Sequence, residues 1–213
     1  MRLVEDRLRA EYFDLLPAMQ RTLTALETEV SYLLLPASLR LDRYARMIVR
    51  GRIKECESAV DALRRRQEGG AFDVAQADRY SLTMLPDLVG VRVLTFPQSC
   101  FDEARTIVES RVSGWTPDHI AAASPGDSPI ALKFHGFWSD EDRFHAEIQI
   151  VSLLIGLFWE VEHSAIYKPA PKLRGVAKSL AMQSRTAEVL ASLRAFEEEF
   201  SRQLANNFEF PSS

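Results

Sequence analysis

A chain of 213 residues has room for one sizeable hydrophobic core with a helical appendage. Hydrophobic residues make up 46% of it and charged residues 26%, the balance of an ordinary soluble globular protein. A formal net charge of −4 argues against a general nucleic-acid coat protein, though not against a local basic pocket. Cys56 and Cys100 lie in helical contexts and read as reduced thiols of a cytoplasmic protein rather than a disulfide framework. Arg2, Glu5, Asp6 and Arg7 give the N-terminus none of the apolar core of a signal peptide, and no apolar run reaches membrane-spanning length.

Leu8, Tyr12, Leu15, Leu16, Met19, Leu23 and Leu26 recur at helical spacing, which predicts one long amphipathic helix or two shorter ones from about Leu3 to Tyr32. Pro36 is expected to break it. Met47 to Lys54 reads as a strand with Arg50, Arg52 and Lys54 on one face, followed by a helix from Glu55 to Gln67. Leu88 to Phe96 is the clearest buried strand. Ser99 to Asp102 resembles a capping box for a helix to about Ser110. A short strand from Trp115 to Ile120, a loop from Ala121 to Pro129 and a strand from Ile130 to Trp138 follow, the last with Lys133 and His135 on one face. An acidic turn, Ser139 to Asp142, leads into the strand His145 to Ile150, whose alternation separates Ala146, Ile148 and Ile150 from His145, Glu147 and Gln149. The next helix is expected to bury Leu154, Phe158, Val161 and Ala165, and Pro169 to stop it. A long helix or helical pair from Leu173 to Leu204 and a frayed tail complete the chain. The pattern is an α/β (α+β) domain with a mixed sheet of about five strands, flanked by long N- and C-terminal helices.

Three cations at a two-residue period repel one another, so Arg50, Arg52 and Lys54 call for an anion, of which polyphosphate is the best chemical match. The same pattern also describes an edge strand blunted by charge. Asp87, immediately before the buried strand, is placed to hold Mg²⁺ beside phosphate, or is a turn residue after Pro86. Glu147 offers a general base or a second metal ligand, or a solvated strand face. His163 could touch phosphate, while Tyr167 and Lys168 also fit helix-end packing and a favourable C-terminal charge.

Taken together, in order and spacing, these positions resemble the synthetase domain of the RelA/SpoT family, especially its small stand-alone alarmone synthetases. The resemblance runs from about Met47 to Lys168. It is carried by Gly51-Arg52-Ile53-Lys54 with Ser58, Asp87-Leu88-Val89-Gly90-Val91-Arg92-Val93, Asp118-His119-Ile120, His135, Glu147-Ile148-Gln149-Ile150, and Trp159-Glu160-Val161-Glu162-His163 with Tyr167-Lys168. It implies a single nucleotidyltransferase-like domain over residues 1–213, with a helical region at 1–45, a catalytic-type core at 46–168 and C-terminal helices at 172–205. It also implies a cytoplasmic pyrophosphokinase, oligomeric and without a membrane segment, that moves the β,γ-pyrophosphate of ATP to the 3′-hydroxyl of GDP or GTP. Arg52, Lys54, Ser58 and His163 would hold ATP phosphates, and Arg92 would pair with a carboxylate or stack near adenine. Asp87 would bind Mg²⁺, and Glu147 would take the acceptor proton or share the metal. Lys133, His135, Gln149, Tyr167 and Lys168 would lie on the acceptor side.

The chain departs from the family pattern at three places. The guanine-stacking loop, Gly-Tyr-x-Ser-(Leu/Tyr)-His in the family, reads Ile130-Ala131-Leu132-Lys133-Phe134-His135, so the glycine and the tyrosine are absent. An arginine after the Glu-Ile-Gln-Ile run is replaced by Val151, and a lysine after Ser58 by Ala62. Losing an aromatic platform costs ~1–3 kcal/mol per base, about one to two orders of magnitude in affinity. Phe134 and Phe137 are the aromatic residues near enough to replace it. Three readings stay open: guanosine tetra- or pentaphosphate synthesis; a different acceptor, such as an adenine nucleotide or the 3′ end of tRNA, as in toxin-like relatives; and a catalytically degenerate nucleotide-binding or interaction protein.

Overall fold

The computed structural model describes residues 2–120, 131–162 and 180–208. Five strands, β1 (Arg46–Ile53), β2 (Val89–Phe96), β3 (Thr116–Ile120), β4 (Ala131–Gly136) and β5 (Ala146–Ser152), form one sheet in the order β1-β2-β5-β4-β3. Only the central β2–β5 pair is parallel; the β1–β2, β4–β5 and β3–β4 pairs are antiparallel. The sheet is therefore mixed, as the alternating strand and helix patterns require.

Helix α1 (Arg2–Ser38) runs through both Pro17 and Pro36. The expected break at Pro36 does not occur: Leu34 and Ala37 are buried, and the amide of Leu39 donates to the carbonyl of Leu35 at 3.0 Å, so packing on both sides of the proline holds the last turn. The N-terminal half of α1 builds one core, in which Val4, Leu8, Tyr12, Leu15 and Met19 meet Ala59, Val60 and Leu63 of α2 (Cys56–Arg65) and Leu82, Leu85, Leu88 and Phe144. Its C-terminal half builds a second, in which Leu26, Val30 and Leu34 meet Val91, Val93, Ile148 and Ile150 of the sheet and Phe101, Ala104 and Val108 of α3 (Gln98–Arg111). A Cβ at Gly51 would lie 2.7 Å from both Leu23 Cδ1 and Glu27 Oε2, so this glycine lets α1 approach β1, and its amide donates to Glu27 Oε1 at 3.0 Å.

Helix α3 begins at Gln98 with Pro97 as its N-cap and no capping side chain, so the capping box expected at Ser99 is not formed. Helix α4 (Leu153–Glu162) lies on the opposite face of the sheet from α1. Its buried positions are Ile155 and Gly156, while Val161 is exposed and Leu154 and Phe158 are half-buried. The predicted stripe is thus displaced: Ile155 of α4 packs on the apolar row of Leu94, Ala131, Val151 and Ile48, and Glu160 farther along reaches Arg50 and Arg92. The last helix, α5 (Leu180–Phe208), extends past the expected boundary at Leu204 and sets Phe200 against Phe96 and Tyr44. The loop expected at Ala121 to Pro129, the end of the α4 pattern at Ala165 and the stop at Pro169 lie outside the described residues. Among the described residues no helix is long and apolar enough to cross a membrane.

Ser152 donates a hydrogen bond to buried Glu197 of α5, and burial pushes the Glu197 carboxyl above its ordinary range, opposed by that bond. A raised folded-state pKa contributes stability that is complete below the unfolded value and is lost as pH rises through the folded one. Glu197→Gln is therefore expected to raise the melting temperature at neutral pH by roughly 2–4 °C, the shift that ~1 kcal/mol gives a chain of this size. The gain should close as the solution is acidified; thermal melts at neutral and acidic pH check it, and a pH-independent difference would contradict it.

Candidate functional site

The strand register sorts the face of the sheet away from α1 into rows. One row reads Arg52, Gly90, Glu147 and His135 across β1, β2, β5 and β4. The next reads Arg50, Arg92, Gln149 and Lys133, and continues to Asp118 on β3. A third reads Ile48, Leu94, Val151 and Ala131. The period-two alternation of five separate strands thus gathers two polar rows side by side, with an apolar row beyond them under α4.

Glu147 is the centre of this face. It is only 2% exposed, and its Oε1 accepts from Arg52 Nη2 at 3.3 Å. Gly90 lies between them in the row, and a Cβ there would stand 3.2 Å from the Glu147 carbonyl and 3.8 Å from Arg52 Nε. The glycine therefore leaves the path by which the guanidinium crosses β2. On the other side Lys133 Nζ is 3.2 Å from Glu147 Oε2, and His135 Nε2 is 3.9 Å from it. His135 Nδ1 lies 3.2 Å from the carbonyl oxygen of Pro86, which ties β4 to the residue preceding Asp87.

Lys54 follows β1 directly and donates a hydrogen bond to Asp87 Oδ2, both side chains being largely buried. Burial lowers the Lys54 pKa, opposed by Asp87 and by the Glu147 charge. Burial alone would raise the Asp87 carboxyl, but the Lys54 charge and hydrogen bond, with Arg52 and Arg66 beyond, hold it below its ordinary value. Arg92 donates from Nε to Gln149 Oε1 at 2.8 Å and lies 3.6 Å from Glu160 Oε1, while Arg50 donates to Glu160 Oε2 at 3.2 Å. Burial lowers the Arg92 pKa first, with Arg52 adding to it and Glu160 opposing.

The basic strand is therefore neutralised by this chain's own carboxylates: Glu160 for Arg50, Glu147 for Arg52 and Asp87 for Lys54. Five cations (Arg50, Arg52, Lys54, Arg92 and Lys133) nonetheless share three carboxylates, which leaves the face positive. Arg92 takes the carboxylate-pairing role, and Gln149 is engaged as its acceptor. Glu160 was in the sequence motif but carried no assigned role; its place in the Trp159-Glu160-Val161-Glu162 run, on the helix that reaches the polar rows, was the signal.

Among the described residues, Asp87 Oδ1 and Glu147 Oε2 are buried without a hydrogen-bond partner. Such oxygens suit a divalent cation, and Mg²⁺ needs only one or two carboxylates when phosphate oxygens complete its shell. Among the described residues no group of three or more His, Cys, Asp or Glu side chains stands ready to hold a metal ion alone. Ser58 is half-buried in the first turns of α2, next to the strand end that carries Lys54. His163, Tyr167 and Lys168 lie outside the described residues. Phe134 is buried in the α1-side core and offers no platform for a base, whereas Phe137 is 52% exposed and packs against His145 with centroids 4.2 Å apart.

Neither a family model nor a curated protein sequence matches the chain. Solved structures do. The small alarmone synthetase 1 from Bacillus subtilis superposes with a TM-score of 0.68 at 16% identity, over 94% of this chain and 100% of that one. A GTP pyrophosphokinase family protein from Streptococcus pneumoniae gives 0.67 at 18% identity, over 95% and 98%. Small alarmone synthetase 2 from Bacillus subtilis gives 0.62 at 16%, over 94% and 100%. The fold is that of the small alarmone synthetases.

Within the alarmone-synthetase fold, two of the sequence departures become one structural feature. Ala131 and Val151 are direct cross-strand partners in the apolar row, both with 0% exposure, and they pack with Leu94 and Ile155. Trp159 and Leu190 of α5 close over them. The positions that carry an aromatic ring and an arginine in the family motif are thus replaced together by a dry patch. Ala62 likewise packs partly buried against the α1–α2 core.

Proposed function

We propose that this protein is a nucleotide pyrophosphokinase that transfers the β,γ-pyrophosphate of ATP to a 3′-hydroxyl. The observation that carries the reading is the pairing of Arg52 with Glu147 and Lys54 with Asp87 on one positive face, with an unsatisfied buried oxygen left on each carboxylate. It is supported by structures of Bacillus subtilis small alarmone synthetase 1, one bound to AMPCPP and another to its product pppGpp.

In this reading Arg52, Lys54 and Ser58 hold the ATP phosphates, exchanging their present partners for phosphate oxygens, and Arg92 borders the nucleotide. Asp87 would hold Mg²⁺, which when bound would supply charge neutralisation to the transferred group. Glu147 accepts the proton of the acceptor hydroxyl as its oxygen bonds to the β-phosphorus; the bond from that phosphorus to the α,β-bridging oxygen breaks and AMP leaves. The dry Ala131–Val151 patch favours an acceptor other than a guanine nucleotide, because it offers neither a stacking ring nor a cation where the family motif has them.

The test is purified protein with Mg²⁺ and ATP, offered GDP, GTP, AMP, ADP or bulk tRNA in turn, with AMP and a pyrophosphorylated product as the readout. Measurable ATP binding with no AMP release from any acceptor would overturn the enzyme reading and leave a nucleotide-binding protein. With the acceptor that reacts, Phe137→Ala is expected to weaken nucleotide binding by ~1–3 kcal/mol, the worth of one stacked base. Unchanged affinity by calorimetry would remove Phe137 from the site.

A further inference from the structure

The carboxylate at the middle of the polar face is claimed from two sides. Glu147 Oε1 is taken by Arg52, and Oε2 faces Lys133 Nζ at 3.2 Å yet has no hydrogen-bond partner. Lys133 lies one register step diagonally from Glu147 across the β4–β5 pair, whose direct partner of Glu147 is His135, a spacing that a long side chain spans. His135 stands farther from the same oxygen, at 3.9 Å, and its other ring nitrogen is turned to the Pro86 carbonyl. Lys133 therefore supplies charge to Oε2 without filling its hydrogen-bonding direction. Asp87 presents the opposite case: its cation, Lys54, is hydrogen-bonded to Oδ2, and Oδ1 is left buried and bare.

We infer that Lys133 is the resident counter-ion of Glu147 and confines a divalent cation to Asp87, reserving the open direction at Glu147 Oε2 for the acceptor hydroxyl. A divalent ion at Oε2 would stand against an ammonium with only one carboxylate oxygen to screen the two, and in a face already rich in cations that contact is repulsive. At Asp87 the hydrogen-bonded cation, Lys54, sits on Oδ2, with Arg52 and Arg66 farther out, and the oxygen to be coordinated is the one Lys54 does not use. The family motif carries serine where this chain has Lys133, so the lysine is a property of this chain. Lys133 acts through Glu147 and is a positioning residue. The inference rests on the pyrophosphokinase reading for the word acceptor, but its metal arm does not.

Mn²⁺ alone is the probe, titrated into the full-length protein and followed by loss of the free-ion electron paramagnetic resonance signal. Wild type is expected to bind Mn²⁺ in a way that Asp87→Asn abolishes and Glu147→Gln leaves nearly unchanged. Lys133→Ser and Lys133→Met are expected to tighten Mn²⁺ binding about 10–100-fold, the range over which groups around metal ligands tune affinity, and to make it sensitive to Glu147→Gln. Lys133→Arg should restore wild-type behaviour. A circular-dichroism melt establishes which of the variants are folded, and Lys133→Met, which keeps the side-chain bulk, stands in if Lys133→Ser is not. Equal loss of Mn²⁺ binding in the Asp87→Asn and Glu147→Gln variants of the otherwise wild-type chain, unchanged affinity in the Lys133 variants, or no binding by any form would overturn the inference. AMP release by wild type with any acceptor, measured alongside, would leave the functional reading standing after such a failure.

Discussion

Glu147→Gln is expected to lower acceptor-dependent AMP release by about 10²–10⁴-fold, the usual contribution of a positioned general base. The substitution is nearly isosteric, so the loss should be chemical and not structural. It removes a carboxylate that is 2% exposed, and its two cationic neighbours retain access to water, Arg52 with a side chain 46% exposed and Lys133 with one 26% exposed. Stability therefore changes little, because the group left behind is not an isolated buried charge. The loss should fall on kcat with ATP affinity retained, since the phosphates are held by Arg52, Lys54 and Ser58 in the proposed arrangement. Quantifying AMP chromatographically over an acceptor titration measures this. Activity within tenfold of wild type would show that the proton goes elsewhere.

The second large effect is on folding. Val151→Arg puts the arginine of the resembled motif at this position, and it is expected to destabilise this chain strongly. Val151 is fully buried, its cross-strand partner is Ala131, and its neighbours are Leu94 and Ile155. A guanidinium there has no carboxylate in that row. An uncompensated buried charge costs ~3–5 kcal/mol against a total stability of roughly 5–15 kcal/mol. For a chain of this size that is a fall in melting temperature of roughly 6–20 °C. Thermal denaturation followed by circular dichroism decides it. A well-folded variant with an unchanged midpoint would mean that the apolar row is open to solvent and that the arginine site was lost without a structural replacement. The expected outcome means instead that the packed apolar row at this position excludes a guanidinium.

Three strands were legible by their alternation, Arg50 and Arg52 against Met47 and Val49, Lys133 and His135 against Leu132 and Phe134, Glu147 and Gln149 against Ile148 and Ile150, and β2 by its buried run. That is enough to say which side chains share a face. The register between strands is a property of the assembled sheet, and it puts Ala131 opposite Val151 and Glu147 beside both Arg52 and Lys133. Read singly, Val151 was a missing arginine and Ala131 a missing tyrosine; their contact with each other could not be seen in one sequence. The helix boundaries failed where tertiary packing overrode local preference. Pro36 was read as a stop, but buried Leu34 and Ala37 hold the turn around it. The displaced stripe of α4 has the same origin, since this helix sets Ile155 on the apolar row and carries Glu160 to Arg50 and Arg92. The counter-ions of the basic strand were hidden for another reason: Glu160, Glu147 and Asp87 come from three distant segments, and only the fold makes them neighbours.

Helix α1 takes part in two separate cores, and the halves of the polar face stand on different ones. Glu147 lies on a strand whose underside is packed by Leu26, Val30 and Leu34. The strand end with Lys54 and the approach to Asp87 rest on the other half: the Tyr12 hydroxyl donates to the Lys54 carbonyl at 3.0 Å, Arg7 donates to the carbonyls of Ala77 and Tyr80, and Glu11 accepts from Ser81 and the Leu82 amide. The helix thus works as a rigid beam with a pier at each end, and the spacing between the Asp87 and Glu147 carboxylates is set by the beam as much as by the sheet. Pro17 sits in the stretch of α1 that packs the first of these cores, between buried Leu15 and Met19. Any bending there would be felt as a change in the gap between the Asp87 and Glu147 carboxylates, at a distance from both.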